Sequence, residues 1–246
     1  MLPDEFSTKF DVLLNSYNFP PEFGDEHPKF NPALNEYEKS VFLTKAEMEF
    51  FVSLYNGTSI PGVAFEITEE SRRYLEDLVR TKTYYSTDIE EVEDNLSSNS
   101  VVFELEPDLG FITLELVSYD KEGDCFNGFT ARVYPVTQDE YARVRNNPFR
   151  GPTKYKVLRL DRGERLVELI PAKDYTIKEY LVRYLKKPNP IILTDLEGTG
   201  LSIEGQTAIS GCEMNPLLHN LILERAVALA VQSKSLGMPS TNNKNE

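Results

Sequence analysis

The sequence predicts an α+β fold: a helical N-terminal region and a long C-terminal helix packed together, with an intervening antiparallel β-rich region. Three observations carry that reading. Apolar residues recur at helical spacing before residue 80 and again after residue 215. Between residues 101 and 185 the spacing changes to two, the period of strands. The C-terminal stripe of Leu217, Leu218, Leu221, Ile222, Ala226, Leu229 and Ala230 is wide enough to be buried between other helices.

Pro3-Asp4-Glu5 opens the first helix, with Phe6, Phe10, Leu13, Leu14 and Tyr17 on one face. Pro20-Pro21 ends it. Residues 19–32 (FPPEFGDEHPKFNP) then read as an extended connector that can run along a neighbouring subunit as readily as along its own domain. Thr44-Lys45-Ala46-Glu47 has the spacing of a capping box, so a helix is expected to open there. It carries Met48, Phe51, Val52 and Tyr55 on one side and stops at Asn56-Gly57. Thr68, with Glu69 and Glu70 in the turn where the helix dipole favours negative charge, caps a third helix running through Leu75 to Leu78-Val79-Arg80. Residues 88–100 (DIEEVEDNLSSNS) read as a mobile loop or boundary.

Strands 101–105 and 111–116 flank Pro107-Asp108-Leu109-Gly110, which predicts a hairpin, and residues 129–134 give another strand. Thr137-Gln138-Asp139-Glu140 is a further capping box, opening a short helix through Tyr141 and Val144 that ends near Asn146-Asn147-Pro148. Strands 154–160 and 165–170 flank the turn Asp161-Arg162-Gly163-Glu164. Residues 176–185 place Tyr180, Val182 and Tyr184 on one face and Glu179, Leu181 and Arg183 on the other. Pro188 and Pro190 then interrupt, leaving 190–193 as a short segment at a sheet edge. Asn215 caps the last helix with Pro216 at its first position, and Gly237 and Pro239 stop it. The expected division is an acidic helical region over 1–98, a β-rich region with one short helix over 99–206, the C-terminal helix within 207–236, and a tail over 237–246.

With 246 residues, 40% of them hydrophobic, the chain suffices for one large or two small domains. No apolar run approaches the roughly 18–20 residues of a membrane helix. The opening Met1-Leu2-Pro3-Asp4-Glu5 lacks the basic flank and apolar core of a signal peptide, so no membrane partner is expected. Cys125 and Cys212 have no metal-ligand spacing and read as reduced thiols, with a single disulfide as the open alternative.

The net charge of −14 is unevenly spread. Residues 1–120 hold 25 Asp and Glu against 8 Lys and Arg, giving −17; residues 121–246 hold 15 against 18, giving +3. An acidic surface of this kind does not bind phosphate backbones. Its plain reading is a solvated face. The sharper one is a surface that meets basic partners, or lines a passage through which DNA slides without sticking.

Residues 194–200 (TDLEGTG), after three apolar residues, match the letters of the first metal motif of DnaQ-like exonucleases, where two carboxylates two apart share a divalent metal pair. Asp195, Glu197, Thr199 and Gly200 supply the match. That chemistry needs further carboxylates downstream. No aspartate follows Gly200, and His219 is followed five residues on by Glu224. The segment therefore reads as a polar turn. His27 has no nucleophile pattern beside it, and His219 reads as a structural hydrogen-bonding group. No catalytic, cofactor-binding or metal residue is expected, and no cofactor.

Arg143, Arg145, Arg150, Lys154, Lys156, Arg159, Arg162 and Arg165 fall in one short window. Either they form a solvated face or they meet an acidic surface, and the chain's own acidic half is an available partner. The candidate subunit interface sets Arg143, Arg145 and Arg150 of one copy against Glu90, Glu91 and Glu93 of another. A heterologous contact of that kind closes a ring where the rotation permits.

Five blocks in series, residues 36–57 (EYEKSVFLTKAEMEFFVSLYNG), 65–79 (FEITEESRRYLEDLV), 135–152 (PVTQDEYARVRNNPFRGP), 180–193 (YLVRYLKKPNPIIL) and 212–230 (CEMNPLLHNLILERAVALA), resemble the head–tail connector ring (adaptor or neck) proteins of crAss-like short-tailed bacteriophages. The resemblance implies a non-enzymatic virion protein, made in the host cytoplasm and built into a twelve-fold ring between portal and tail around the DNA exit channel. Its partners would be further copies of itself, the portal protein, other ring, neck or tail proteins, and packaged DNA that passes without specific binding. The resemblance also implies that the last helix packs on the N-terminal ones, with the β-rich part inserted between them. The alternatives are another tail-hub or neck protein, a metal-dependent nuclease of the kind just weighed, and a binding factor acting free in the host cytosol.

Overall fold

The computed structural model describes residues 1–16, 34–57, 69–88, 96–120, 131–145 and 147–236 of the chain. In chain order its elements begin with helices α1 (Pro3–Ser16), α2 (Glu36–Asn56) and α3 (Glu69–Leu75). Strands β1 (Val79–Tyr85), β2 (Val101–Glu104), β3 (Leu109–Asp120) and β4 (Ala131–Pro135) follow. After them come helix α4 (Gln138–Val144), strands β5 (Lys156–Gly163), β6 (Leu166–Ile170) and β7 (Thr176–Lys186), and helix α5 (His219–Leu236). This is the α+β class that the change of period predicts. Two compact units share the chain: Met1–Leu78 together with Pro188–Glu246, and Val79–Lys187.

In the helical unit, α5 packs against both α1 and α2. Phe6, Phe10 and Leu14 of α1 are buried as the spacing requires, together with Leu43, Ala46, Phe51 and Leu54 of α2 and Ile222, Leu223, Ala226 and Val227 of α5. Burial of such side chains is the main favourable contribution to this unit, about 1.5–3 kcal/mol for each large one. Lys39, only 3% exposed, ties α1 to α2 by ion pairs to Asp11 (2.8 Å) and Glu36 (2.9 Å). Burial alone would lower its pKa, but hydrogen bonds to the two carboxylates outweigh burial and raise it.

Several local expectations change here. α2 does not open at Thr44. Its capping box is Asn35 with Glu38: the Asn35 side chain accepts from the Glu38 N–H (2.8 Å), and the Glu38 carboxylate accepts from the Asn35 N–H (3.0 Å). The exit does fall where expected, with Gly57 in the left-handed conformation at φ 69°. The third helix stops at Leu75, passes through a 3₁₀ turn (Glu76–Leu78), and gives way to β1 at Val79, where a helix through Arg80 was expected. The change from the helical unit to the sheet falls at Leu78/Val79, and the return at Lys187/Pro188. The last helix begins as a 3₁₀ turn (Pro216–Leu218) beneath the Asn215 cap. Leu218, Ile222, Ala226, Leu229 and Ala230 of the expected stripe are buried, but the buried face extends to Leu223 and Val227 while Leu217 and Leu221 are 65% and 47% exposed. Residues 17–33, which hold the connector and His27, and the tail 237–246 lie outside the described residues, as do Thr68 and Cys125.

The other unit is one seven-stranded sheet, in the order β1-β7-β3-β4-β5-β6-β2. All neighbours are antiparallel except β4 and β5, which run parallel. Parallel neighbours need a crossover, and α4 supplies it, packing Tyr141 and Val144 over Leu158, Leu160 and Ile170. Thr137 caps α4 as its spacing predicts, accepting from the Glu140 N–H. The β5–β6 hairpin forms as predicted, but its turn falls at Glu164-Arg165, because Asp161, Arg162 and Gly163 continue strand β5; Gly163, Glu164 and Arg165 all take positive φ.

The hairpin expected across Pro107-Asp108-Leu109-Gly110 is absent, because β2 pairs with β6 and β3 pairs with β7. The sheet curls until its two edge strands meet: Tyr84 of β1 lies 6.1 Å from Phe103 of β2, ring to ring, and its hydroxyl accepts from the Glu106 N–H (3.2 Å). Tyr180 lies inside that curl against both rings. Its hydroxyl donates to Glu115, which also holds Arg159 at 2.7 Å. Burial, with the Glu115 charge beside it, drives the Tyr180 hydroxyl pKa far up, so the phenol stays protonated. Residues 96–100 are held against the sheet by Glu168, which is fully buried and accepts from the Leu96 N–H (2.8 Å) and the Ser100 hydroxyl (2.5 Å).

Candidate interaction surfaces

Asp195 and Glu197 lie together in an exposed turn of the helical unit. The Asp195 carboxylate accepts from the Glu197 N–H (3.0 Å), the Thr199 hydroxyl donates to the Leu196 carbonyl (2.7 Å), and Gly198 and Gly200 take positive φ. The Asp195 carboxylate thus serves the turn itself, and no group of three or more His, Cys, Asp or Glu side chains suited to a metal occurs among the described residues.

The apolar residues before this turn are not a sheet edge, as expected from the prolines. Ile191, Ile192 and Leu193 are buried along α2, where side chains of the helix take the place of a partner strand. The Thr44 hydroxyl accepts from the Ile191 N–H (3.1 Å) and lies 3.3 Å from its carbonyl, and the Ser40 hydroxyl accepts from the Leu193 N–H (2.9 Å). Ser210 closes the other side by exchanging two backbone bonds with Ile192, each 3.0 Å.

Deeper in α2, Glu47 is buried beside Cys212, and burial pushes its carboxyl pKa up to about 8. The same burial, with Glu47 adjacent, raises the Cys212 thiol as well, so this free cysteine is not a reactive thiolate. His219 has a structural setting. Nε2 faces the Met214 carbonyl at 3.0 Å and so carries the proton, while Nδ1 accepts from the Met1 amine at 2.8 Å. Burial lowers its pKa and keeps the ring neutral.

The basic window separates into two sets. Arg159 turns inward to Glu115, Arg165 pairs with Glu104 at 2.6 Å, and Arg162 approaches Glu168 at 3.9 Å. Arg143, Arg145 and Arg150 are exposed and have no ion-pair partner among the described residues, and Lys154 is exposed beside them in sequence. Glu90, Glu91 and Glu93 lie outside the described residues.

Sequence reasoning missed the aromatic part of this patch. Phe149 is 92% exposed, and Tyr134 and Tyr155 are exposed too, each with a lysine Nζ over its ring at 5.3 and 5.7 Å. The only signal was the run Asn147-Pro148-Phe149-Arg150-Gly151, which sets a large apolar residue among turn formers. A second surface is a groove of about 680 Å³ on the helical unit, walled by Val41, Met48, Val52 and Ile203 and rimmed by Lys45 and Glu49.

Exposed aromatic and arginine side chains on a built loop are the residue types of protein–protein contacts, and the class this surface marks is a protein that works by binding other protein chains. The chain belongs to the phage tail ring protein 3/4 family, whose model matches residues 1–244. It is 45% identical over 237 residues to ring protein 3 of Bacteroides phage crAss001, covering 96% of this chain and 97% of that one. It is 32% identical over 234 residues to ring protein 4/5 of the same phage, covering 92% and 91%. The chain is thus a ring protein of the crAss-like phage type, structural and not enzymatic. No described helix is long and apolar enough to cross a membrane.

Proposed function

We propose that this chain is a subunit of a twelve-fold connector (adaptor) ring in the neck or tail of the virion, between portal and tail around the DNA exit channel. Copies are made in the host cytoplasm and assemble with one another, with the portal protein, and with other ring, neck or tail proteins. What supports the reading is the match along residues 1–244 to a tail ring family, taken with relatives named as ring proteins. The −17 carried by residues 1–120 suits a channel wall past which DNA moves without specific binding.

Within the ring, Arg143, Arg145 and Arg150 of one copy face the acidic run Glu90, Glu91 and Glu93 of the next. Reversing both Arg143 and Arg145 to glutamate is expected to abolish ring formation, and intact rings would refute this contact. The wider reading is tested by an electron cryomicroscopy reconstruction of the particle. Twelve copies in a ring adjoining the portal is the expected result. Density for this chain elsewhere, or at another symmetry, would overturn the assignment.

A further inference from the structure

We propose that α1 is exchanged between neighbouring copies: in the ring, the first helix of one subunit fills the seat that α2 and α5 form in the next. The exchange rests on the ring reading above and gives it a directional contact between subunits.

Side chains alone fasten α1 to its seat. The helix lies against α2 and α5, with Phe6 and Phe10 fully buried and Leu14 nearly so. The Phe6 ring stands 5.6 Å from the ring of His219 at the start of α5. The Ser7 hydroxyl donates to Glu36 (2.8 Å) and accepts from Lys39 Nζ (3.1 Å), which also pairs with Asp11 (2.8 Å). Among the described residues, no hydrogen bond between backbone groups joins residues 1–16 to another element. Every one of these contacts is open in the same form to the α1 of another copy, which is why exchange of an element costs little.

The chain between α1 and α2 is far longer than a seat in the same copy needs. Ser7 meets Glu36 and Asp11 meets Lys39, so the two helices pass each other in the same direction and the link has to return along α1. From Ser16 back to Leu34 is about 15 Å along the helix, at about 1.5 Å per residue from Phe6 to Ser16, and about 8–10 Å across. Roughly five or six extended residues cover that distance. The chain supplies 17, residues 17–33, among them Pro20, Pro21, Pro28 and Pro32. That length reaches roughly 60 Å, and a proline-rich composition favours reach over collapse. A compact unit the size of the helical one is about 35–40 Å across, which puts the seat of an adjacent copy within range.

Donor and acceptor are different parts of one chain, so each copy gives a helix to one neighbour and receives one from the other. Such a heterologous contact needs no two-fold axis and closes where the rotation permits. A free subunit keeps α1 in its own seat, as described above. Within the ring each seat is filled by the preceding copy, with the same buried phenylalanines and the same lysine pairs.

The test uses the full chain with Cys125→Ser and Cys212→Ser, in which Ser7→Cys places a thiol on α1 and Glu36→Cys places one in the seat. Rings are treated with a short bismaleimide and resolved on a denaturing gel. A ladder of covalent multimers is expected from the double variant, and monomers from either single variant. Rings of the double variant that yield only internally linked monomers would overturn the exchange and leave the ring reading standing. A second chain lacks residues 20–29. The seven residues left between the helices reach roughly 25 Å, enough for their own seat and too short for the next one. This chain is expected to keep its melting temperature while self-association weakens at least ten-fold. Rings that form from it as readily as from wild type refute the exchange, and if it does not fold the crosslinking decides alone. A wild-type chain that forms no ring, in solution or in particles, refutes the ring reading itself.

Discussion

The Thr44 hydroxyl and the Ile191 backbone satisfy each other: the hydroxyl accepts from the Ile191 N–H at 3.1 Å and donates to its carbonyl at 3.3 Å. A threonine inside a helix thereby does for an extended segment what a neighbouring strand does in a sheet. Ser40, one helical turn earlier, accepts from the Leu193 N–H in the same way but donates to the Glu36 carbonyl of its own helix. Thr44→Val keeps the shape and strands both Ile191 groups in a buried site. It is expected to cost about 2–3 kcal/mol in urea unfolding, while Thr44→Ser stays close to wild type.

Glu47 makes stability depend on pH in the direction opposite to an ordinary ion-paired carboxylate. Burial raises its folded-state pKa to about 8, so the native state favours the protonated form. Its contribution is complete below the unfolded-state value, roughly 4.3, and is lost progressively as the pH rises toward 8. Glu47→Gln fixes the neutral form. The variant is expected to match wild type near pH 4 and to exceed it by on the order of 4 kcal/mol at pH 8, measured as the difference between two denaturation series.

Gly151→Ala probes the Phe149 loop without touching Phe149. The new methyl group would meet the Asn147 carbonyl at 2.7 Å and the Val144 carbonyl at 3.1 Å, both backbone atoms that cannot swing aside. A loss of roughly 1–3 kcal/mol is expected by thermal or chemical unfolding.

Asp195→Ala and Glu197→Ala test the nuclease alternative. Both side chains are exposed in a turn, so Glu197→Ala is expected within about 0.5 kcal/mol of wild type, and Asp195→Ala, which loses the bond to the Glu197 N–H, within about 1 kcal/mol. No Mg²⁺- or Mn²⁺-dependent degradation of DNA is expected before or after substitution. Metal-dependent activity lost in both variants would revive the exonuclease reading.

Periodicity reported the faces of the elements well and their partners poorly. Phe6, Phe10 and Leu14, and likewise Tyr180, Val182 and Tyr184, are buried where their spacing puts them, because one face of an element is a local property. The start of α2 was ambiguous for a local reason: Asn35 with Glu38 and Thr44 with Glu47 have the same capping spacing. Tertiary contact with Ile191 claims the second pair for another purpose. The missing β2–β3 hairpin has a non-local cause, since the curl of the sheet gives β2 to β6 and β3 to β7 despite a good turn between them. The parallel β4–β5 pair did leave a trace, a capped helix between two strands, which is the sequence pattern of a crossover. For the candidate interface, Arg143, Arg145 and Arg150 stood out by charge. Phe149 did not, because exposure of one apolar residue in a turn has no period to reveal it.

Insertion of residues 79–187 into the helical unit also sets a schedule. On the ribosome, α1 and α2 emerge first, but the helix that covers them ends at Leu236. At roughly 5–20 residues per second, the 158 residues between Leu78 and Leu236 take about 8–30 s to make. Throughout that interval Phe6, Phe10 and Phe51 await their cover, while the sheet has all of its strands once Lys186 is made, 50 residues before Leu236, and can mature first. The middle of this polypeptide can therefore finish before its beginning, and the first two helices are the stretch most in need of chaperone shelter during synthesis.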